Sequence, residues 1–326
     1  MQREIVWLLP KKQSMENSAS ELALETLAGT GFKIVKIKRP FLSAFLKAAA
    51  VRRTGGLVYY QFGSPFENLI CAALVAARVP VAAHYLDQIS EGYPKWAKKL
   101  QLHWPITYIL KNARVVFAIS PAMKQSLIEE FDRHRTTLVR FRSSSDSQAI
   151  EGNQRPEFAD TVIFAGNINP KTNLTGLLEA KKKLAQKDLK LAVFTRTVIP
   201  SILARLKEGG IEILAPLPAE KIVEESYRYA AQLVAFNFDA GSAAFYKTST
   251  PSKTPNLLMA RRRIIYFGPK GYWFGEWLLQ YPDLAIELDR LDTGAELPKL
   301  CISSQRANDI LADFDALSDQ ISWNEL

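Results

Sequence analysis

The sequence predicts an α/β chain built as two Rossmann-like, doubly wound domains with an interdomain cleft. Three observations carry this. The chain has 326 residues, 48% hydrophobic and 23% charged, an ordinary globular balance and long enough for two domains. Short runs rich in Val, Ile and Tyr alternate with helix-like stretches, the pattern of a parallel sheet covered on both faces. The alternation pauses once, at a polar stretch without periodicity, and then restarts.

In the first half, Glu4–Leu9 reads as a strand and Ser18–Ala28 as a helix. Phe32–Ile37, Leu57–Phe62, Val79–Tyr85 and Val115–Ile119 read as further strands, with Phe66–Ala77 an apolar helix between two of them. Ser120 is an expected N-cap, with Pro121 in the first helical position and the helix running to Phe131. SSSDSQAIEGNQRPEFAD, residues Ser143 to Asp160, carries Gly152 and Pro156 and is the expected linker. The domains are therefore expected at 1–150 and 151–326, with a C-terminal helix free to pack back on the first. In the second half the expected strands are Val162–Ala165, Leu189–Phe194, Ile211–Leu214, Leu233–Phe236 and Ile264–Phe267. The expected helices are Leu174–Ala185, Ile199–Lys207, Ala219–Tyr229 and one opening at Pro255.

Composition narrows the function classes. The two cysteines, Cys71 and Cys301, do not make a disulfide framework, which fits a reducing, cytoplasmic setting. Ile5–Leu9 is too short for a signal-peptide core, and the apolar region Leu69–Leu86 is interrupted by Arg78 and Pro80. Of the net charge of +9, residues 1–150 hold 21 Lys and Arg against 11 Asp and Glu, and the remainder is nearly neutral. The first half is thus suited to an anionic partner: nucleic acid, lipid headgroups or a pyrophosphate-bearing acceptor. A solubilising surface accounts for the same charge. No nucleic-acid reader motif accompanies it, so nucleic acid is not expected as a partner.

In open parallel sheets, ligands bind beyond the carboxyl ends of strands, so polar residues just after strands are the candidates. In FAGNINPKTN (Phe164–Asn173), Gly166 lets the backbone approach a ligand, Lys171 supplies charge, and a helix N-terminus offers N–H groups to phosphate. An ordinary strand-to-helix turn has the same composition. In TSTPSKTPN (Thr248–Asn256), the hydroxyls of Ser249, Thr250 and Ser252 surround Lys253, and Asn256 follows one turn later. This suits a diphosphate, and equally a helix cap with a solvated lysine. In HYLDQ, His84 and Asp87 offer acid–base chemistry at a strand end, although a lone histidine also suits a structural role. YPKWAKKLQLHWP interleaves Lys95, Lys98 and Lys99 with Trp96 and Trp104. It fits an anionic membrane interface, or a surface helix whose tryptophans pack on the domain.

Four segments, taken in order, resemble the GT-B glycosyltransferases, especially glycosyltransferase family 4. They are VVFAISPAMKQSLIEEF (Val115–Phe131), TVIFAGNINPKTNLTGLLEA (Thr161–Ala180), ILAPLPAEKIVEESYRYAAQLVAF (Ile213–Phe236) and TPSKTPNLLMARRRIIYFGP (Thr250–Pro269). The resemblance implies that Lys171 contacts a donor diphosphate, with Gly166 closing the preceding strand. It implies Ser252 and Lys253 near the phosphates, Leu217 lining the nucleotide base with Arg196 at its border, and His84 near the donor sugar. The sequence departs from the family in three places. Asn167 replaces an arginine, and Thr248 and Asn256 replace the two glutamates of the E-x7-E pattern. PKKQSMENS also stands where the family has a glycine-rich loop after the first strand. Asn256 retains a donor and an acceptor for a ribose hydroxyl.

The resemblance implies metal-independent transfer of a sugar from a UDP-, GDP- or dTDP-sugar, without a cofactor, to a glycan or lipid-linked acceptor. Lys171 and Lys253 stabilise the leaving diphosphate, Asp87 or His84 is the acceptor-side base if the reaction inverts, and domain closure aligns the substrates. A peripheral site at the inner face of the plasma membrane and a role in bacterial surface polysaccharide assembly follow from the same reading. Retaining and inverting outcomes stay open. So do two other functions on this fold, a sugar-nucleotide epimerase and a non-catalytic subunit.

Overall fold

The computed structural model describes residues 4–9, 33–38, 46, 50–62, 64–85, 103–131, 136–138, 155–299 and 301–317. The expected helix Ser18–Ala28, most of the expected linker, and Asp87, Lys95, Trp96, Lys98 and Lys99 lie outside these residues. The chain divides into two compact units, Met1–Arg140 with Ala316–Leu326, and Phe141–Asp315. Among the described residues no helix is long and apolar enough to cross a membrane.

The first unit holds β1 (Glu4–Leu9), β2 (Lys33–Lys38), β3 (Leu57–Gln61), α1 (Pro65–Ala76), β4 (Val81–Tyr85), α2 (Trp104–Asn112), β5 (Val115–Ala118), α3 (Pro121–Phe131) and β6 (Thr136–Leu138). Its strands are all parallel, in the order β2-β1-β3-β4-β5-β6. β3, β4 and β5 are nearly continuous apolar runs because both faces are covered. Ser64 and Glu67 close a reciprocal capping box at the start of α1, and Ser120 accepts the Met123 amide at 2.8 Å at the start of α3.

The second unit holds β7 (Phe158–Ala165), α4 (Leu174–Ala185), β8 (Lys190–Phe194), α5 (Pro200–Glu208), β9 (Glu212–Leu214), α6 (Ala219–Tyr227), β10 (Tyr229–Ala235), α7 (Ala240–Tyr246), α8 (Thr254–Met259), β11 (Ile264–Phe267), α9 (Trp273–Leu278), β12 (Ala285–Glu287) and α10 (Ser304–Ala316). Its parallel sheet runs β12-β11-β10-β7-β8-β9. The winding reverses between β7 and β10, the order that creates a ligand crevice at the carboxyl ends of the two central strands. α4 buries Leu174, Leu177, Ala180 and Leu184, one stripe at helical spacing, against the same core as Val162, Leu191 and Leu233.

Two boundaries differ from expectation for one reason. β7 begins at Phe158, inside the expected linker, and β10 begins at Tyr229, where the sequence predicts a continuing helix. Phe158 stacks on Tyr229 with ring centroids 4.8 Å apart, and its amide donates to the Arg228 carbonyl at 2.9 Å. Arg228 pairs with both Glu157 and Glu225, at 2.7 Å each. This tertiary aromatic pair extends both strands by several residues. The segments β6, α7, α9 and β12 carry no expectation from the sequence, whereas α10 stands where a C-terminal helix is expected. Trp104 and Pro105 open α2 instead of ending a helix.

Candidate functional site

The site is built at the carboxyl ends of β7 and β10. After β7 the chain turns through Gly166, whose φ of +151° suits glycine and strains other residues. Its amide donates to the Phe194 carbonyl at 2.9 Å. The following loop is tied to itself. Asn173 Oδ1 accepts the Asn169 amide at 2.9 Å, while its Nδ2 donates to the Asn167 carbonyl at 3.1 Å. Thr197 Oγ1 accepts the Ile168 amide at 2.9 Å and joins this loop to the one after β8.

Asn237, two residues past β10, joins the loops on either side of the crevice. Its amide donates to the Thr172 carbonyl at 2.8 Å, its Nδ2 to the Pro170 carbonyl at 2.9 Å, and its Oδ1 accepts the Gly176 amide at 2.9 Å. Gly176 is required here, because a Cβ would lie 2.3 Å from the Phe236 carbonyl oxygen. These bonds already engage most of the N–H groups at the start of α4. The Asn169 carbonyl takes the amides of Thr172, Asn173 and Leu174, and Asn237 takes that of Gly176.

Lys253 is the cation that the fold delivers to the end of β7. It directly precedes α8, and its Nζ donates to the carbonyl of Ala165, the last residue of β7, at 2.8 Å. The same Nζ lies 3.8 Å from the centroid of the Phe164 ring, and a Cβ on Gly166 would sit 3.5 Å from it. Burial pushes the Lys253 ammonium down to about 7, since a desolvated charge disfavours itself. Lys253 and Gly166, linked only by expectation in the sequence, thus form one locus. An anion arriving here stabilises the protonated lysine and receives a partly desolvated, strong donor.

Lys171 is placed by its backbone. Ser242 Oγ lies within hydrogen-bond reach of the Lys171 carbonyl and of Asp239 Oδ2, 2.7 Å away, and shares its one proton between these two acceptors. Asp239 caps α7 through the Ser242 amide at 2.9 Å, and the Ser242 bonds hold its carboxyl below the usual range. The Lys171 side chain is exposed, as are Asn167 and Arg196. Leu217 packs against Ile163, Ala192, Phe194 and Tyr229. Thr250 is buried, and Ser252 and Asn256 are partly so.

In the first unit, His84 has the surroundings of the structural role that the sequence offers beside acid–base chemistry. It is 0% exposed in β4, in register with Gln61 and Phe117. Tyr59 Oη and His84 Nδ1 share a hydrogen bond, and Phe117 packs edge-on at 5.8 Å. Nε2 has no partner among the described residues, and burial lowers the imidazole to about 3. A neutral ring enclosed by aromatics does not reach a substrate in this geometry. Trp104 is 49% exposed at the start of α2, edge-on to Tyr108.

No family model and no curated protein sequence matches the chain. Solved structures do match in fold. A trehalose 6-phosphate synthase from Burkholderia multivorans aligns with a TM-score of 0.59 and 11% identity, covering 98% of this chain and 94% of its own. A trehalose-phosphate synthase from Burkholderia xenovorans, in complex with glucose-6-phosphate, also aligns at 0.59, with 8% identity over 99% of this chain and 98% of its own. That fold is GT-B. Staphylococcus aureus TarM, in complex with UDP, aligns at 0.50 with 11% identity over 80% of this chain. The chain spans about half the length of TarM, 51%. Within this GT-B chain, sequence reasoning missed Asn237, Thr197 and Asp239. The signal for the first and last was available: both sit in FNFD, immediately after an apolar strand.

Proposed function

We propose that the chain is a glycosyltransferase that takes a sugar from a nucleotide diphosphate sugar and binds that donor in its second unit. The observation that carries this is the Lys253–Ala165–Gly166 locus at the reversal point of the second sheet. A GT-B fold and the presence of UDP in TarM and of a sugar phosphate in the Burkholderia xenovorans synthase support the reading. In this mechanism Lys253 meets the negative charge that develops on the departing diphosphate, assisted by the exposed Lys171. Asn256 takes the ribose, Leu217 and Arg196 border the base, and Thr250, Ser252 and Asn167 line the phosphate side. Asp87 is the acceptor-side base if the reaction inverts. His84 acts as a positioning residue from inside the first sheet.

The remaining parts of the proposal follow from the resemblance to family 4. Transfer is metal-independent, the acceptor is a glycan or a lipid-linked glycan, and the setting is surface polysaccharide assembly at the inner membrane face. The excess of basic residues in 1–150 supports an anionic acceptor or surface. The test is to titrate the chain with UDP-, GDP- and dTDP-sugars and to follow slow donor hydrolysis. Binding of one nucleotide, lost in Lys253→Ala, is expected. No response to any of the three refutes the transferase reading. A second reading, a non-catalytic subunit, draws on Asn167, Thr248 and Asn256, and it is the one that a complete lack of nucleotide affinity supports.

A further inference from the structure

The first unit carries a surface that the donor chemistry does not use. Along α1, Phe66, Leu69, Ala73 and Ala76 are exposed at helical spacing, and Phe66 and Leu69 show 64% and 38% of their surface. No charged residue interrupts this stripe, which runs about 15 Å at the helical rise. The only acidic residue of α1, Glu67, is buried and committed to the capping box with Ser64. On the neighbouring helix, Trp104, Tyr108 and Asn112 repeat every four residues, and Trp104 is 49% exposed.

The two stripes converge. Val75 and Ala76 from α1, Tyr108 and Asn112 from α2, and Arg78 and Arg114 line one groove of about 420 Å³. Arg52 reaches the same end of α1, where its Nη1 donates to the Ala77 carbonyl at 3.3 Å. Cations gathered at a helix C-terminus complement its dipole. Across the described residues from 50 to 118, Arg52, Arg53, Arg78, Lys111 and Arg114 are all exposed, and the single acidic residue is the buried Glu67.

We propose that this face of the first unit, Phe66, Leu69 and Trp104 at one end and the Arg78–Arg114 groove at the other, docks on an anionic lipid surface. Exposed aromatic and aliphatic side chains beside arginines suit the boundary between headgroups and acyl chains. A second copy of the chain is disfavoured as occupant, because the face would meet its own positive charge. The proposal rests on the peripheral-membrane part of the reading above, and it names a surface that does not include the Lys95–Lys99 segment.

The experiment is vesicle flotation of the full chain with phosphatidylcholine alone and with phosphatidylcholine mixed with phosphatidylglycerol. Binding is expected only with the anionic mixture, and it is lost at high salt. Arg78→Gln lowers the partition coefficient about fivefold, one cation's worth. Phe66→Ser with Leu69→Ser lowers it further. Both positions are exposed, so circular dichroism stays unchanged, and nucleotide-sugar titration in solution reports on the donor site separately. Anionic binding retained by both variants overturns this surface while leaving membrane association standing. Binding to neither vesicle overturns both, and retention on double-stranded DNA without vesicle binding assigns the face to a different partner. None of these results bears on sugar transfer, which the nucleotide titration decides by itself.

Discussion

The two sheets solve the same architectural problem and treat buried polarity in opposite ways. In the first, the group near the end of β4 is an imidazole sealed among Tyr59 and Phe117 and held neutral. In the second, the group brought to the end of β7 is a lysine that burial lowers to about 7. The winding differs too: the first sheet reverses between β1 and β3, the second between β7 and β10. A sealed neutral ring contributes to the core. A buried cation with a lowered pKa costs stability at neutral pH. The comparison teaches that similar parallel sheets can hold a basic group near a strand end in two ways, sealed among aromatic rings or set beside a glycine turn.

The largest expected effect comes from removing the poised cation. Lys253→Met lowers donor turnover about 10²–10³-fold, the usual loss for one donor aimed at developing charge. The same variant raises the denaturant midpoint. The folded pKa of Lys253, about 7, is below the ordinary lysine value of 10.5, so the folded state resists protonation and the lysine costs stability at pH 7. A variant less active and also less stable would contradict this role for Lys253.

The next effect separates the sheets by pH. His84 falls from 6.5 to about 3 on folding, so the unfolded chain binds the extra proton. Its stabilising contribution is complete above pH 6.5 and is lost as the pH falls towards 3. Hydrogen exchange read by peptide is expected to show β3 and β4 opening in acid before β7 and β10. Simultaneous opening, unchanged in His84→Leu, would remove the distinction.

Gly176→Ala probes the close approach of α4 to β10. The added methyl group meets the Phe236 carbonyl oxygen at 2.3 Å, so about 1–3 kcal/mol of stability is lost to overpacking. Urea unfolding measures this, and donor affinity falls with it because Asn237 loses its grip on the loop. The smallest effect is expected from Asn256→Glu. A carboxylate accepts stronger hydrogen bonds from a ribose diol than an amide does, so donor affinity rises about fivefold. Unchanged or weaker binding would detach Asn256 from the ribose.

Much of the architecture is legible in the sequence because strands buried on both faces declare themselves as apolar runs. The pairing of Phe158 with Tyr229 is not, because it joins distant parts of the chain and neither residue has a local signal. At the site, Lys253 is legible from its place among hydroxyls and proline before a helix. The burial of His84 is hidden, since a histidine at the end of a strand looks the same in sequence whether its neighbours cover it or not. The part that Asn169 and Asn237 play at the α4 turn is hidden too, since accepting the amides of Thr172, Asn173, Leu174 and Gly176 depends on loop geometry and on a residue about sixty positions away.

Arg261 and Arg262 follow α8 with almost no exposed surface, 4% and 1%. Arg262 Nε donates to the Tyr227 carbonyl at 2.7 Å, and Arg261 Nε donates to the Ile302 carbonyl, also at 2.7 Å. Arg262 also bridges Cys301 through its backbone. The residues that receive Arg261 therefore arrive about forty positions later in synthesis, on the order of seconds at ordinary elongation rates. Until they emerge, the corner between α8 and β11 holds a guanidinium without that acceptor, which is costly in an apolar setting. The consequence is temporal: during translation Arg261 gains this acceptor only after about forty further residues have been made.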